Sequence, residues 1–565
     1  MREWCRVRDA VRMRLPIRGR VQPPLFPPGL DDPITGVPVA PDPSRDPSFA
    51  LQKLERALVR AHVDAPDAMT EVEVRRLRYL ISFARLTAFE PGAAGPQGTR
   101  GRGDVDVTED LAPWRDTVID KLTGPLRREQ DPAKRLAGAR EVYHELEEQQ
   151  TEQRRLLLER RGKDFSAAEL DAEVGYKSLA LVLGGGGGAG FVYVGAMRRL
   201  IESDIEPDYV IGASIGAILG ALFARQTPIP FDDYLEFARS LSYRALLGPE
   251  PARRKHGLTS VLSLRLDEFA APLFERPDGD QMRMEDLAIP YDAVVAGVHQ
   301  QLFSRLPARF RRQEMAMVKL RSLPVIPIGL GPAIVSRLWQ AASFIDSRVV
   351  KPLVLGDDDL TRQFNVVDAV SFSAAIPGVL HHETKDPRMV PLLDRFLAEK
   401  EVAALVDGGA ASNVPVEQAW IKVQRGRIGT RNAMYLALDC FHPQWDPRQL
   451  WLTPITRAVQ LGMVRNAPYA DQLLRMSPTL SPVTLAPSPE ALDQAVEWGH
   501  ASMDEAMVFV NRMLEPVWWE GDAPAYADRS GRRARVSMAP PMRPIIAAAQ
   551  GSRDALRRFR DRHFS

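Results

Sequence analysis

From Leu179 onward the chain is built of short, almost wholly apolar runs separated by helical patterns. That alternation limits it to an α/β sheet covered on both faces. The runs are LALVL (179–183), DYVIGA (208–213), DAVVAGV (292–298), AALVDGG (403–409) and AMYLALDC (433–440). A strand with one face in water would alternate apolar and polar residues, and these do not. The helical stretch EALDQAVEWGHASMDEAMVFVNRML, ending at Leu514, closes the pattern.

The first run leads into seven residues, GGGGGAG (184–190), and then into a helical pattern, FVYVGAMRRL. Glycines in such a turn let backbone N–H groups face a negative oxygen, and the start of the next helix adds a favourable dipole. Three readings are open for the loop alone. Gly185, Gly187 and Gly190 satisfy the spacing of a dinucleotide fingerprint. The same amides could form an oxyanion hole, or the loop could be a structural turn.

The second run argues against the dinucleotide. A dinucleotide fold needs an acidic residue at the end of that strand to hold the ribose. Here the strand ends in Gly212-Ala213-Ser214-Ile215-Gly216, followed by an Ala/Leu/Ile helix. G-x-S-x-G between a strand and a helix is a nucleophile elbow, which lifts the serine Oγ to the carboxyl edge of a sheet. A serine nucleophile needs a base. The nine histidines (62, 144, 256, 299, 381, 382, 442, 500 and 563) lie in no motif that marks one as catalytic. Asp407 does, at a strand end in VDGGAASNVPV, where Gly408 and Gly409 allow a tight fold against a neighbouring site. Taken alone, an aspartate before Gly-Gly is more often a turn residue. Beside an elbow and a glycine loop, the base reading is the stronger.

LVLGGGGGAGFVYVGAM, VIGASIGA and VDGGAASNVPV together resemble the glycine, nucleophile and aspartate blocks of the patatin-like phospholipases. A fourth segment, DAVSFSAAIPGVL (368–380), is similar to that family's Ala-Ser-x-Ala-x-Pro helix and turn, and all four stand in the family's order. The resemblance is to a bacterial member with a helical N-terminal extension, and it covers roughly 177–513. It implies a three-layer α/β/α core with a mainly parallel sheet, a Ser214–Asp407 dyad without histidine, and an oxyanion hole from the amides of Gly185, Gly186, Gly187 and Gly188. It further implies hydrolysis of fatty-acyl esters, of phospholipase A or lysophospholipase type, through an acyl-enzyme. Two positions depart from the family pattern. Ala189 stands where Lys or Arg is usual, and Tyr193 where His is common. An α/β-hydrolase triad running Ser214, Asp407, then His442 or His500 stays open. So do an acyltransferase and a catalytically weak lipid-binding scaffold on the same fold.

The rest of the chain carries no catalytic constellation. Residues 1–47 read as a basic, then Pro-rich, arm and linker, 48–175 as a helical accessory region broken at 91–104, and 515–565 as a peripheral tail. The core domain spans 177–514, with an insertion at about 299–362. Within it, residues 303–351 carry nine Lys and Arg against Glu314 and Asp346, interleaved with apolar side chains such as Leu306, Phe310, Leu338 and Trp339. Such a surface suits transient contact with an anionic membrane, or a lid. Helices packed on the core with a solvated charged face would read the same way. The formal net charge of +1 excludes a global field for nucleic acid. Two cysteines, Cys5 and Cys440, make no disulfide framework, and a reducing compartment fits. The most apolar stretch, 323–335, is interrupted by Pro324, Pro327 and Pro332, so no spanning helix is expected. The basic N-terminus lacks an apolar stretch and does not read as a secretory signal. The expected setting is cytoplasmic, with peripheral membrane contact, a lipid ester as substrate, and neither metal nor organic cofactor. Charge reversal at Arg309, Arg311 and Arg312 is expected to reduce co-sedimentation with anionic vesicles; sedimentation equal to the wild type refutes the docking role.

Overall fold

The computed structural model describes residues 46–240, 242–249, 256–258, 260, 262–266, 270–300, 349–443, 453–529, 539 and 545. The basic stretch 303–348, the N-terminal arm and most of the C-terminal tail lie outside the described residues.

All five expected strands form: β1 (Ser178–Leu183), β2 (Tyr209–Ala213), β3 (Tyr291–His299), β5 (Val402–Asp407) and β6 (Ala433–Asp439). Two more join them, β4 (Val350–Leu355) and β7 (Gln472–Arg475). Both are edge strands of the same seven-stranded sheet, and their composition hides them. β4 contains Lys351 and Pro352, and proline is tolerated on an edge because one side of the ladder is unused. β7 is only QLLR, too short for a pattern. β4 lies within the expected insertion at 299–362 and belongs to the central sheet.

The sheet runs β5-β3-β2-β1-β6-β7, with β4 on β3. The pairs β2–β3, β1–β2, β1–β6 and β6–β7 are parallel, while β4 and β5 are antiparallel to β3. Successive residues of a strand face opposite sides. Leu179, Leu181 and Leu183 therefore enter one core, with the helices α6 (Val192–Ile201), α7 (Ile215–Ala224) and α13 (Pro489–Leu514). Ala180 and Val182 enter the other, with α11 (Val416–Gln424). Both faces are covered, as the unbroken apolar runs require. The result is a three-layer α/β/α core.

Before the sheet come α1 (Pro47–Asp64), α2 (Glu71–Arg85), α3 (Ala112–Thr123), α4 (Pro132–Arg161) and α5 (Ala167–Gly175). Their starts are written locally. The Asp46 carboxylate caps α1, and Thr70 and Glu73 form a reciprocal capping box on α2. Leu51, Leu54, Leu58, Leu77 and Leu80 build a separate apolar core. Val517 and Trp519 are buried in that same core, so the start of the expected peripheral tail is instead threaded back into the helical layer. The Val517 N–H donates to the Gly175 carbonyl at 3.0 Å.

The helical layer is fastened to the α/β core by polar groups as well as by Phe49. Glu55 is fully buried, and Lys177 donates to it at 2.8 Å and to Asn432 at 2.7 Å. Arg78 and Arg85 also pair with Glu55. Burial alone would raise the Glu55 carboxyl, but the charges of Lys177, Arg85 and Arg78 hold it down at about 2. Lys177 is pushed down to about 7 by its own burial and by Arg85. Removing the single anion would leave three buried cations uncompensated. Glu55→Gln is therefore expected to cost about 3 kcal/mol, read as a lower urea midpoint than the wild type.

Candidate active site

The register of β3 brings the serine and the aspartate together. β2 runs parallel to β3 and ends with Ala213 opposite Val294. β5 runs antiparallel to β3 and ends with Asp407 opposite Val295. β4 occupies the other edge of β3 along Ala293–Val298. β2 and β5 must therefore share one edge, entering from opposite ends and stopping one residue apart. The next residue after β2 is Ser214. Its Oγ donates to Asp407 Oδ2 at 2.6 Å.

Ser214 has φ 55° and ψ −125°, a conformation costly for a residue with a side chain. The elbow persists because its neighbours overdetermine it. A Cβ on Gly216 would stand 2.3 Å from the Leu183 carbonyl oxygen, and one on Gly408 would stand 2.0 Å from that of Val294. Glycine at these two places is required by backbone meeting backbone. A Cβ on Gly212 would stand 2.3 Å from the Gly216 carbonyl oxygen, and one on Gly409 2.8 Å from Asp407 Oδ1.

The gap between the two strand ends is filled by Ser373, at the end of α9 (Val366–Ser373). Its Oγ donates to the Val294 carbonyl at 2.6 Å and accepts from the Ser214 N–H at 2.9 Å. The Asp407 N–H donates to the Ala375 carbonyl at 2.9 Å. The sequence marked this segment by resemblance but assigned Ser373 no role; nothing local says that a hydroxyl there will bridge two strands.

Asp407 is buried, and burial pushes its carboxyl up to about 6 against the lowering effect of hydrogen bonds from Ser214 Oγ and the Gly409 N–H. Its other oxygen accepts from Gly409 at 2.8 Å. Among the described residues no histidine bonds to either member of the pair. His500 lies on the surface against Glu202, and His442 sits beside Asp439.

The glycine loop lies over the pair, with a Cβ on Gly185 falling 3.0 Å from that of Ser214. Its four candidate amides are not equivalent. Gly185 N–H donates to the Asn413 carbonyl at 3.0 Å and Gly188 N–H to that of Pro482 at 2.8 Å. Gly186 and Gly187 N–H have no partner among the described residues. Gly190 packs against Ile215 at the start of α7. Asn413 also donates its side-chain amide to the Gly185 carbonyl, so the segment after Asp407 clamps the loop. Tyr193 donates to the Leu438 carbonyl and accepts from Cys440 N–H, tying α6 to the end of β6. Ala189, where the resembling pattern has a basic residue, is fully buried. Among the described residues no group of three His, Cys, Asp or Glu could hold a metal ion, and no helix is long and apolar enough to cross a membrane.

Ser373→Ala would leave a buried carbonyl and a buried N–H unpaired. It is expected to destabilise the fold by about 2 kcal/mol, measurable by urea unfolding.

Residues 181–420 match the family model for patatin-like phospholipase. A stretch of 132 residues is 32% identical to patatin-like phospholipase domain-containing protein 7 of Mus musculus, over 21% of this chain and 9% of that protein. A stretch of 53 residues is 49% identical to the lysophospholipase NTE1 of Pyricularia oryzae, over 9% of this chain and 4% of that protein. Similarity to the lysophospholipase nte1 of Neurospora crassa has the same extent, at 49% identity over 53 residues. The matches thus span less than a tenth of the length of these relatives. Because the family match runs from β1 past Asp407, it takes in the glycine loop, the elbow and the aspartate together, and residues 181–420 of this chain are a patatin-like phospholipase domain.

Proposed function

We propose that the protein hydrolyses fatty-acyl esters of lipids, of phospholipase A or lysophospholipase type, with Ser214 as nucleophile and Asp407 as general base. The observation that carries this reading is the 2.6 Å hydrogen bond from Ser214 Oγ to Asp407, made on a strained elbow beneath a glycine loop. The similarity to proteins named as phospholipases and lysophospholipases supports the substrate class.

Ser214 Oγ attacks the acyl carbonyl carbon as its proton passes to Asp407. The carbonyl oxygen becomes an oxyanion, stabilised by the N–H groups of Gly186 and Gly187 and by the start of α7. The C–O bond to the leaving alcohol breaks, the alcohol takes the proton from Asp407, and an acyl-Ser214 ester remains. Water then gives a proton to Asp407 and attacks the ester, and Ser214 leaves with that proton restored. A raised carboxyl is a better base than an ordinary one, and at neutral pH it is still largely ionised.

Ser214→Ala and Asp407→Asn are each expected to lower kcat on p-nitrophenyl esters and mixed phospholipids by about 10³-fold or more. Asp407→Asn retaining wild-type turnover, or His442 or His500 variants losing it instead, would overturn the dyad. Asp407 must be deprotonated to act, so kcat/KM is expected to fall as pH drops through about 6. A pH–rate profile with its acid limb near 4 would mean that another group, or an unshifted carboxylate, is the base.

A further inference from the structure

A cleft of about 610 Å³ opens between the helical layer and the edge of the sheet at β7. It is separated from β2 by β1 and β6 and shares no residue with the elbow, the glycine loop or Asp407. Its walls carry Lys53, Arg56 and Arg60 from α1, Arg127 from the turn after α3, and Arg135 from the first turns of α4. The sole carboxylate among the lining residues is Asp471, and it is committed to the fold, accepting from Gln52 Nε2 at 3.0 Å and from the Tyr435 N–H at 2.9 Å. One carboxylate, whose charge is felt by Arg56, therefore stands against five cations among the lining residues.

This concentration of charge is local. The whole chain balances 74 basic against 73 acidic residues. Many arginines elsewhere are matched to carboxylates, as Arg154 is to Asp171, Arg427 to Asp292 and Arg161 to Asp110, while Arg115 is held by backbone carbonyls. Arg56, Arg60, Arg127 and Arg135 make no salt bridge among the described residues. Their bonds are to neutral oxygens: Arg60 to Gln472 Oε1 at 2.7 Å, Arg56 to the Ala470 carbonyl, and Arg135 to the Glu129 carbonyl. Each guanidinium has five donors, so most remain available. Arg56 and Arg60 stand at i,i+4 on one helix face, where like charges destabilise a helix. Ala57 between them keeps the floor open. Burial, and the charge of Arg56, lower the pKa of Arg60 against the opposing charge of Asp64. Arg127 is presented by a π-helical turn, Gly124–Arg128, a rare geometry that recurs at functional sites.

We infer that this cleft is a binding site for a phosphate-bearing anion, gripped by Arg56, Arg60, Arg127 and Arg135 and bridging the helical layer to the α/β core. Planar guanidinium forks suit phosphate oxygens in pairs. The volume is that of a small-molecule site, for which the usual range is roughly 300–1,000 Å³. Two walls belong to the helical layer and one to the segment leading into β7, so an occupant holds the two parts together. The phosphate could be borne by a soluble compound or by a lipid headgroup.

The test uses the full chain with two probes, inorganic tripolyphosphate by calorimetric titration and phosphatidylcholine vesicles with or without phosphatidic acid by sedimentation. The wild type is expected to bind tripolyphosphate with salt-sensitive affinity and to show a higher Tm in its presence. An Arg56→Gln/Arg60→Gln/Arg127→Gln variant is expected to bind at least tenfold more weakly and to lose the Tm shift. Arg127→Gln alone, which removes no bond among the described residues, is expected to weaken binding without lowering the Tm of the free protein. Arg155→Gln, on the exposed face of α4, is expected to bind as the wild type does. Binding only to phosphatidic acid vesicles, lost in the same variants, assigns the phosphate to a lipid headgroup. Binding of neither probe, or binding unchanged in the cleft variants, overturns the inference.

Discussion

One edge of β3 is divided between two strands that approach from opposite ends, and the geometry of the site follows from that division. β2 must run parallel to β3, because the chain enters it from a helix on the sheet face. β5 must run antiparallel and reach the same edge. Where the two meet, the ladder has no partner for the Val294 carbonyl, and an unpaired buried carbonyl costs free energy. Ser373 supplies the missing bond and passes it on to the Ser214 N–H. The joint that repairs the sheet is thus also the joint that holds Ser214 in its strained conformation.

Each member of the site is held by a different part of the chain. The elbow is closed by glycine contacts with the end of β1, the aspartate by the Ala375 carbonyl, and the glycine loop by Asn413 and Pro482. Two of the four loop amides are consumed in this fastening, and those of Gly186 and Gly187 have no partner among the described residues. Tyr193 and Ala189 belong to the same economy. A tyrosine hydroxyl ties α6 to β6, and a small apolar residue fills the fully buried position 189.

The helical layer is coupled to this core by burial of charge rather than by apolar contact alone. Glu55 surrounded by Lys177, Arg78 and Arg85 is stable only as a group, since each cation depends on the same anion. Arg78 and Asn432 extend the linkage to the end of α13 and to the start of β6. Val517 and Trp519, returning after α13, close the helical core from the other end of the chain.

What the sequence by itself determined is what local pattern can carry. Unbroken apolar runs required a sheet buried on both faces, and G-x-S-x-G between strand and helix required an elbow at Ser214. The tertiary structure alone decided the rest. The edge strands β4 and β7 escaped because an edge demands little of its residues, tolerating Pro352 in one and only four positions in the other. The return of Val517 and Trp519 into the helical core could not be read from a Pro- and Arg-rich segment. The contact of Ser214 with Asp407 and the bridging by Ser373 depend on which residue of β3 each strand end faces, and the sparing of Gly186 and Gly187 on Asn413 and Pro482 reaching the loop. These are pairings between residues distant in the chain, and no local stretch of residues encodes them.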